Sequence, residues 1–195
     1  MGHSLGGNVA CLYAGIRPGR VERVVALDAF GLADRAPTEA PARYRQWLDA
    51  LVAPAAFRLY PDFDALAARL QRDNPRLSPA RANWLATHLG EAVEQGVRMV
   101  GDPAHRRVNP VLYRRAEAEA CWRQIEAPVL WVEPADATLR RRLGIDDELH
   151  RATRSCFRDL QIATIEDAGH NLHHDQPEAV ARILEDFLLS TEPGS

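Results

Sequence analysis

Apolar and polar positions along the chain follow two rhythms. Three short runs, residues 21–28 (VERVVALD), 128–132 (PVLWV) and 160–165 (LQIATI), have the length and β-branched content of strands buried on both faces of a parallel sheet. Around them lie helical patterns. Val180, Ile183, Leu184, Phe187 and Leu188 recur at helical spacing behind Asp175, a candidate cap, and Pro177, suited to a first turn. A second helix is predicted over residues 5–17, ending before Pro18-Gly19, a turn signal that leads into the first strand. Strands alternating with helices indicate βαβ units, hence an α/β protein with a parallel sheet flanked by helices.

Residues 31–126 break this rhythm. The segment shows no strand pattern and is expected to form four or five short helices, with starts at Asp62 and Ser78-Pro79 and breaks at Asp102-Pro103 and Asn109-Pro110. Its Trp47, Leu51, Phe57, Tyr60, Phe63, Trp84, Leu85, Val97, Met99 and Trp122 are read chiefly as the insertion's own core. Residues 127–191 resume the alternation, and 192–195 are expected to fray.

With 195 residues, 46% of them apolar, the chain is long enough for one globular domain, or a core plus an insertion. The formal net charge of -3 gives no electrostatic support for nucleic-acid binding. All 24 residues counted as Lys+Arg are arginine, which excludes a Schiff-base lysine and a Walker lysine. Cys11, Cys121 and Cys156 are scattered and odd in number, so a disulfide framework is not expected and a reducing compartment is. The longest apolar runs fall far short of the roughly 20 residues a bilayer requires, and no signal-peptide pattern opens the chain. The expected location is the cytoplasm, with a small molecule as partner and neither membrane nor nucleic acid.

The chemistry-bearing motif is Gly2-His3-Ser4-Leu5-Gly6, a GxSxG followed by Gly7 and a helical pattern. Its glycines permit a sharp strand-to-helix turn that exposes a strained serine. The helix N-terminus behind it favours negative charge, and the Leu5 amide would face a developing oxyanion. At ordinary Gly and Ser frequencies this pattern arises by chance in about one chain in fifteen of this size. Chain order strengthens the signal: a serine hydrolase of this topology presents Ser, then Asp or Glu after a later strand, then His after the last. Asp136 follows the run at 129–132 in Glu-Pro-Ala-Asp-Ala, and His170 follows the last strand in Glu-Asp-Ala-Gly-His. Both fall at the carboxyl edge of the sheet, where open α/β sheets bind ligands.

Gly-His-Ser-Leu-Gly-Gly-Asn and Asp-Ala-Gly-His followed by His-His-Asp-Gln-Pro-Glu resemble the elbow and histidine-loop signatures of the capped α/β-hydrolases, a group of esterases, carbon-carbon bond hydrolases and serine hydrolase-like proteins. The resemblance spans nearly the whole chain. It implies that Ser4 is the nucleophile, His170 the base, Leu5 an oxyanion donor and residues 31–126 a helical cap over the site. Asp136 stands where the group commonly has its acid, although its loop lacks the usual Gly-x-x-Asp-Pro; some relatives place the acid where Asp28 stands. Asp136 is preferred. Dehalogenases and epoxide hydrolases of the group use an aspartate nucleophile, so Ser4 argues against those chemistries.

The remaining histidines receive structural readings. His3 is expected to pack beside the nucleophile, and His173 and His174 to lie exposed or capping at the start of the final helix. A metal site built from them with His170 and Asp175 is disfavoured, and Ser-His chemistry requires no cofactor. The run Arg140, Arg141, Arg142 reads as a solvated face.

The same resemblance implies some 80 to 100 further residues ahead of the elbow, carrying the strand that leads into the serine and the second oxyanion donor. The chain is therefore expected to be a fragment, with the strand at 21–28 left as an exposed sheet edge open to self-association. The expected activity is hydrolysis of a small ester, thioester or activated carbon-carbon bond. The rivals are acyl transfer and a noncatalytic binding module on the same fold.

Overall fold

A computed structural model of the chain describes residues 1–53 and 55–190, so the expected fray at 192–195 lies outside the described residues. Two compact units result, one joining residues 1–34 to those from 113 onward, the other spanning Arg35–Leu112. In chain order the first unit opens with β1 (Gly2–His3), α1 (Leu5–Ile16) and β2 (Val24–Leu27). The second holds α2 (Ala40–Val52), β3 (Leu59–Tyr60), α3 (Phe63–Asp73), α4 (Pro79–Leu89), β4 (Gly90–Val93) and β5 (Gly96–Met99). The first then resumes with α5 (Arg115–Trp122), β6 (Val129–Pro134), α6 (Thr138–Arg142), α7 (Asp147–Arg154), β7 (Leu160–Ile165), α8 (Leu172–Asp175) and α9 (Pro177–Leu189).

The first unit is an α/β sandwich on a four-stranded sheet, ordered β1-β2-β6-β7 and parallel throughout. Alternation along the strands divides the core in two. Val24, Ala26, Val129 and Trp131 face Cys11 and Ala14 of α1 and Ala118 and Trp122 of α5. Val25, Leu27, Leu130 and Val132 face Leu172 of α8 and Val180 and Phe187 of α9. This two-sided covering explains why β2 and β6 read as unbroken apolar runs. β7, at one edge, leaves Gln161, Ile162 and Thr164 exposed, so only part of LQIATI is buried.

Three expectations change here. The first strand begins at Val24, because Pro18–Arg20 form a 3₁₀ turn closed by the Val21 N–H on the Pro18 carbonyl (3.1 Å). β2 is not an edge: β1 pairs with it, Gly2 opposite Ala26 and His3 opposite Leu27, so a strand does lead into Ser4. Two residues are too few to leave a periodicity. Finally, Arg140 is buried, donating to the carbonyls of Ile145 (3.0 Å) and Asp146 (2.9 Å) and pairing with Asp147 (2.5 Å). It ties α6 to α7 and is no solvated residue.

The second unit is narrower than residues 31–126, since α5 and Trp122 pack into the first unit's core. Nor is it all helical. β3, β5 and β4 form an antiparallel sheet whose Val97 packs with Leu66, Leu77, Leu85 and Ala86. Its hairpin turns on Glu94-Gln95 with Gly96 at φ 132, a turn without the Asn-Gly or Asp-Gly wording that marks hairpins in sequence. Asp62 and Ser78 cap α3 and α4 through the Ala65 and Arg81 amides, as their positions suggested. No helix among the described residues is long and apolar enough to cross a membrane.

Candidate active site

Ser4 is the joint between β1 and α1, with φ 51 and ψ -119. A non-glycine residue held there costs about 1–3 kcal/mol, which the surrounding structure must supply. Ahead of it the ladder is fixed by the Ser4 N–H on the Leu27 carbonyl (2.9 Å), and behind it the Asn8 N–H closes the first helical turn on the Ser4 carbonyl (3.1 Å). The strand and helix cross so closely that a Cβ on Gly2 would overlap the Gly6 carbonyl, and one on Gly7 would overlap the Ala29 side chain. Gly6, the last letter of GxSxG, has open space where a Cβ would stand. The glycines the turn requires are therefore Gly2 and Gly7. Leu5 supplies the first amide of α1, one of the donors a helix leaves without an intrahelical acceptor.

β7 delivers His170 through a tight loop in which Asp167 takes φ 51 and Ala168 is buried. The loop is pinned from below by the buried Asp175, whose Oδ2 accepts the Gly169 N–H at 2.8 Å. Asp175 thus braces the histidine loop instead of capping the final helix, which begins with Gln176 at its N-cap.

Nε2 of His170 lies 3.0 Å from the Ser4 hydroxyl, and Nδ1 lies 2.6 Å from Oδ2 of Asp28. One tautomer satisfies both contacts: Nδ1–H donates to the carboxylate, leaving Nε2 to accept from the serine. Asp28 ends β2 with φ 44, is 6% exposed, and donates its N–H to the Val132 carbonyl (2.8 Å).

The carboxylate that meets the histidine is therefore Asp28 and not Asp136. Oδ1 of Asp136 accepts the Thr138 N–H (3.0 Å) at the start of α6, and the residue lines a cavity of about 360 Å³ with Asp28, Glu133, His150 and Arg154. The physical reason lies in the two strand ends. β2 ends on the buried Asp28, held at φ 44, whereas the end of β6 is occupied by the Glu133 pairs with His150 and Arg154 and Asp136 is engaged with the first turn of α6.

His3, His173 and His174 form a row of tilted rings beside the site. Centroids of His3 lie 4.6 Å from His170 and 4.4 Å from His173, and His173 lies 4.0 Å from His174. The last two are half-buried in α8, contrary to the exposed position expected of them. Burial pushes the pKa of His3 and His174 below the ordinary histidine value and that of His173 down to about 4. Among the described residues no group of three or more His, Cys, Asp or Glu side chains is placed to hold a metal ion. The three cysteines are free.

The chain is 26% identical over 200 residues to a serine hydrolase-like protein of Danio rerio, covering 99% of this chain and 61% of that protein. It is 27% identical over 199 residues to a serine hydrolase-like protein of Dictyostelium discoideum, covering 97% of this chain and 55% of that protein. It thus spans little more than half the length of these relatives. Among solved structures, the thioesterase domain from the curacin biosynthetic pathway superposes with a TM-score of 0.78 at 23% identity over 94% of this chain and 64% of that domain. The hypothetical protein PA1622 of Pseudomonas aeruginosa PAO1 superposes with a TM-score of 0.76 at 25% identity over 96% and 66%. The model of the alpha/beta hydrolase family matches residues 1–183, and with the parallel sheet and strand-to-helix elbow described above, the chain belongs to that family.

Proposed function

We propose that the chain carries the nucleophile, base and acid of a serine hydrolase that acts on a small ester, thioester or activated carbon-carbon bond. The observation that supports this reading is the hydrogen-bonded line from Asp28 through His170 to Ser4. For an ester, Ser4 Oγ attacks the carbonyl carbon while its proton passes to His170 Nε2, and the Leu5 amide stabilises the oxyanion. His170 then returns the proton to the departing alcohol as its C–O bond breaks, leaving an acyl-serine. Water attacks this intermediate, giving a proton to His170, and the acid leaves as Ser4 is restored. Asp28 holds the ring in the Nδ1–H tautomer and stabilises the imidazolium formed in each half-reaction.

We also infer that the working enzyme includes more of the fold than these residues. α1 buries Cys11 and Ala14 on the sheet, yet Leu5, Val9, Tyr13 and Ile16 on the same helix are 59%, 55%, 47% and 61% exposed. A helix apolar on both sides belongs between two layers. The partial coverage of the relatives supports the same reading, as does the need for a second oxyanion donor, which this fold takes from a loop ahead of the elbow. Losing one such donor costs about 10²- to 10³-fold in turnover.

The test is hydrolysis of short p-nitrophenyl esters by this chain and by the longest protein its reading frame encodes. The reading predicts turnover by the longer form, abolished in Ser4→Ala and His170→Ala. Folded proteins that neither hydrolyse ester nor react at Ser4 would favour a noncatalytic binding module.

A further inference from the structure

The elbow and the histidine loop meet at a second point. Besides the contact of Ser4 with the His170 ring, the adjacent residue His3 reaches the His170 backbone, its Nε2 lying 2.8 Å from the carbonyl oxygen. A carbonyl only accepts, so His3 carries its proton on Nε2. Its ring is clasped between those of His170 and His173, at interplanar angles of 44° and 51°, which leaves it little freedom to turn away.

The His170 main chain is thus held on two sides. The Gly169 N–H is fixed by Asp175 and the His170 carbonyl by His3. These anchors decide where the ring begins, and Asp28 decides how it is turned. The 3.0 Å contact with Ser4 lies within the usual range of about 2.7–3.2 Å, and it weakens as the loop drifts in distance or angle.

We propose that His3 is a positioning residue for His170: its hydrogen bond to the His170 carbonyl fastens the histidine loop to the elbow and so keeps Nε2 on the Ser4 hydroxyl. This rests on the serine-hydrolase reading and deepens it. An uncharged His3 suits the role. Burial opposes its protonation, as do the neighbouring rings of His170 and His174, although the Asp28 carboxylate and the bond to the carbonyl favour it. No second cation then stands against the imidazolium that forms at His170.

The experiment compares His3→Phe, which keeps a ring without the donor, with His3→Gln, whose amide can place an N–H near the same spot. It uses the longest protein the reading frame encodes. The readout is fluorophosphonate labelling of Ser4, resolved into the maximal rate and the probe concentration giving half of it. His3→Phe should lower the maximal rate about tenfold with the half-saturating concentration little changed, and His3→Gln should stay within about threefold of wild type. Equal labelling by wild type and His3→Phe overturns the proposal, as does equal loss in both variants when both fold. Should His3→Phe fail to fold, nitrogen NMR of the wild-type ring decides: a neutral Nε2–H tautomer at pH 7 supports the bond, and an Nδ1–H tautomer overturns it. A folded wild type that takes no label refutes the nucleophile reading itself, and an Nε2–H tautomer seen alongside would reduce His3 to a structural tie.

Discussion

Nδ1 of His170 stands 2.6 Å from Oδ2 of Asp28, although 142 positions separate the two residues in the chain. The carboxylate comes from the strand next to the elbow and the imidazole from the opposite edge of the sheet. Replacing Asp28 by Asn removes the charge and puts an amide NH2 donor in place of one carboxylate oxygen, favouring the wrong tautomer of His170, and should slow reaction at Ser4 by about 10³- to 10⁴-fold. Asp136→Asn, which alters a turn contact at α6, should stay within about threefold of wild type. Fluorophosphonate labelling rates of the two variants check the assignment directly.

The elbow glycines should differ in their tolerance. Gly7→Ala drives a methyl into Ala29 and is expected to cost about 1–3 kcal/mol, the range for overpacking a tight contact. Gly6→Ala meets open space inside α1 and should be neutral or stabilising by up to about 1 kcal/mol through helix propensity. Urea unfolding of the two variants measures the difference.

Acid should weaken the fold through the row of histidines. His173 stays uncharged in the folded chain down to about pH 4, while in the unfolded chain it gains a proton near 6.5. The unfolded state therefore binds more protons across that window, so stability is lost as pH falls from 6.5 toward 4 and is fully present above it. His3 and His174, also lowered by burial, act in the same direction. Thermal unfolding midpoints should drop over this range, and His173→Gln should flatten part of the slope. An unchanged slope in that variant would contradict the account.

The outward stripe of α1 should make this chain associate. Val9 and Ile16 are more than half exposed, and β1 stands at the edge of its sheet. Val9→Arg with Ile16→Arg should shift the 195-residue chain toward monomer in sedimentation. In the longest form encoded by the reading frame, the same pair should destabilise, because there the stripe is expected to be covered.

Much of the fold was legible because burial on both faces writes itself as VVAL and VLWV, and because GxSxG and the loop before His170 are local signals. What was not legible depends on side-chain direction and strand order. Asp28 and Asp136 both follow parallel strands at the same edge, and side-chain direction separates them, Asp28 meeting His170 and Asp136 the Thr138 amide. β1 and β3 have two residues each, too short for a period. The burial of Arg140 follows from three contacts to α7 and its approach that no charge pattern reveals. His173 and His174 look like surface residues until α8 sets His173 against His3 and His174 against His173.

If Ser4 is an activated nucleophile, a fluorophosphonate probe must react there, which intact-mass and peptide mapping of the longest protein the reading frame encodes would read directly. A single adduct is expected on the peptide bearing Ser4, absent in Ser4→Ala and slowed in Asp28→Asn. A folded protein that takes no adduct, or one whose adduct persists in Ser4→Ala, would contradict this role for Ser4.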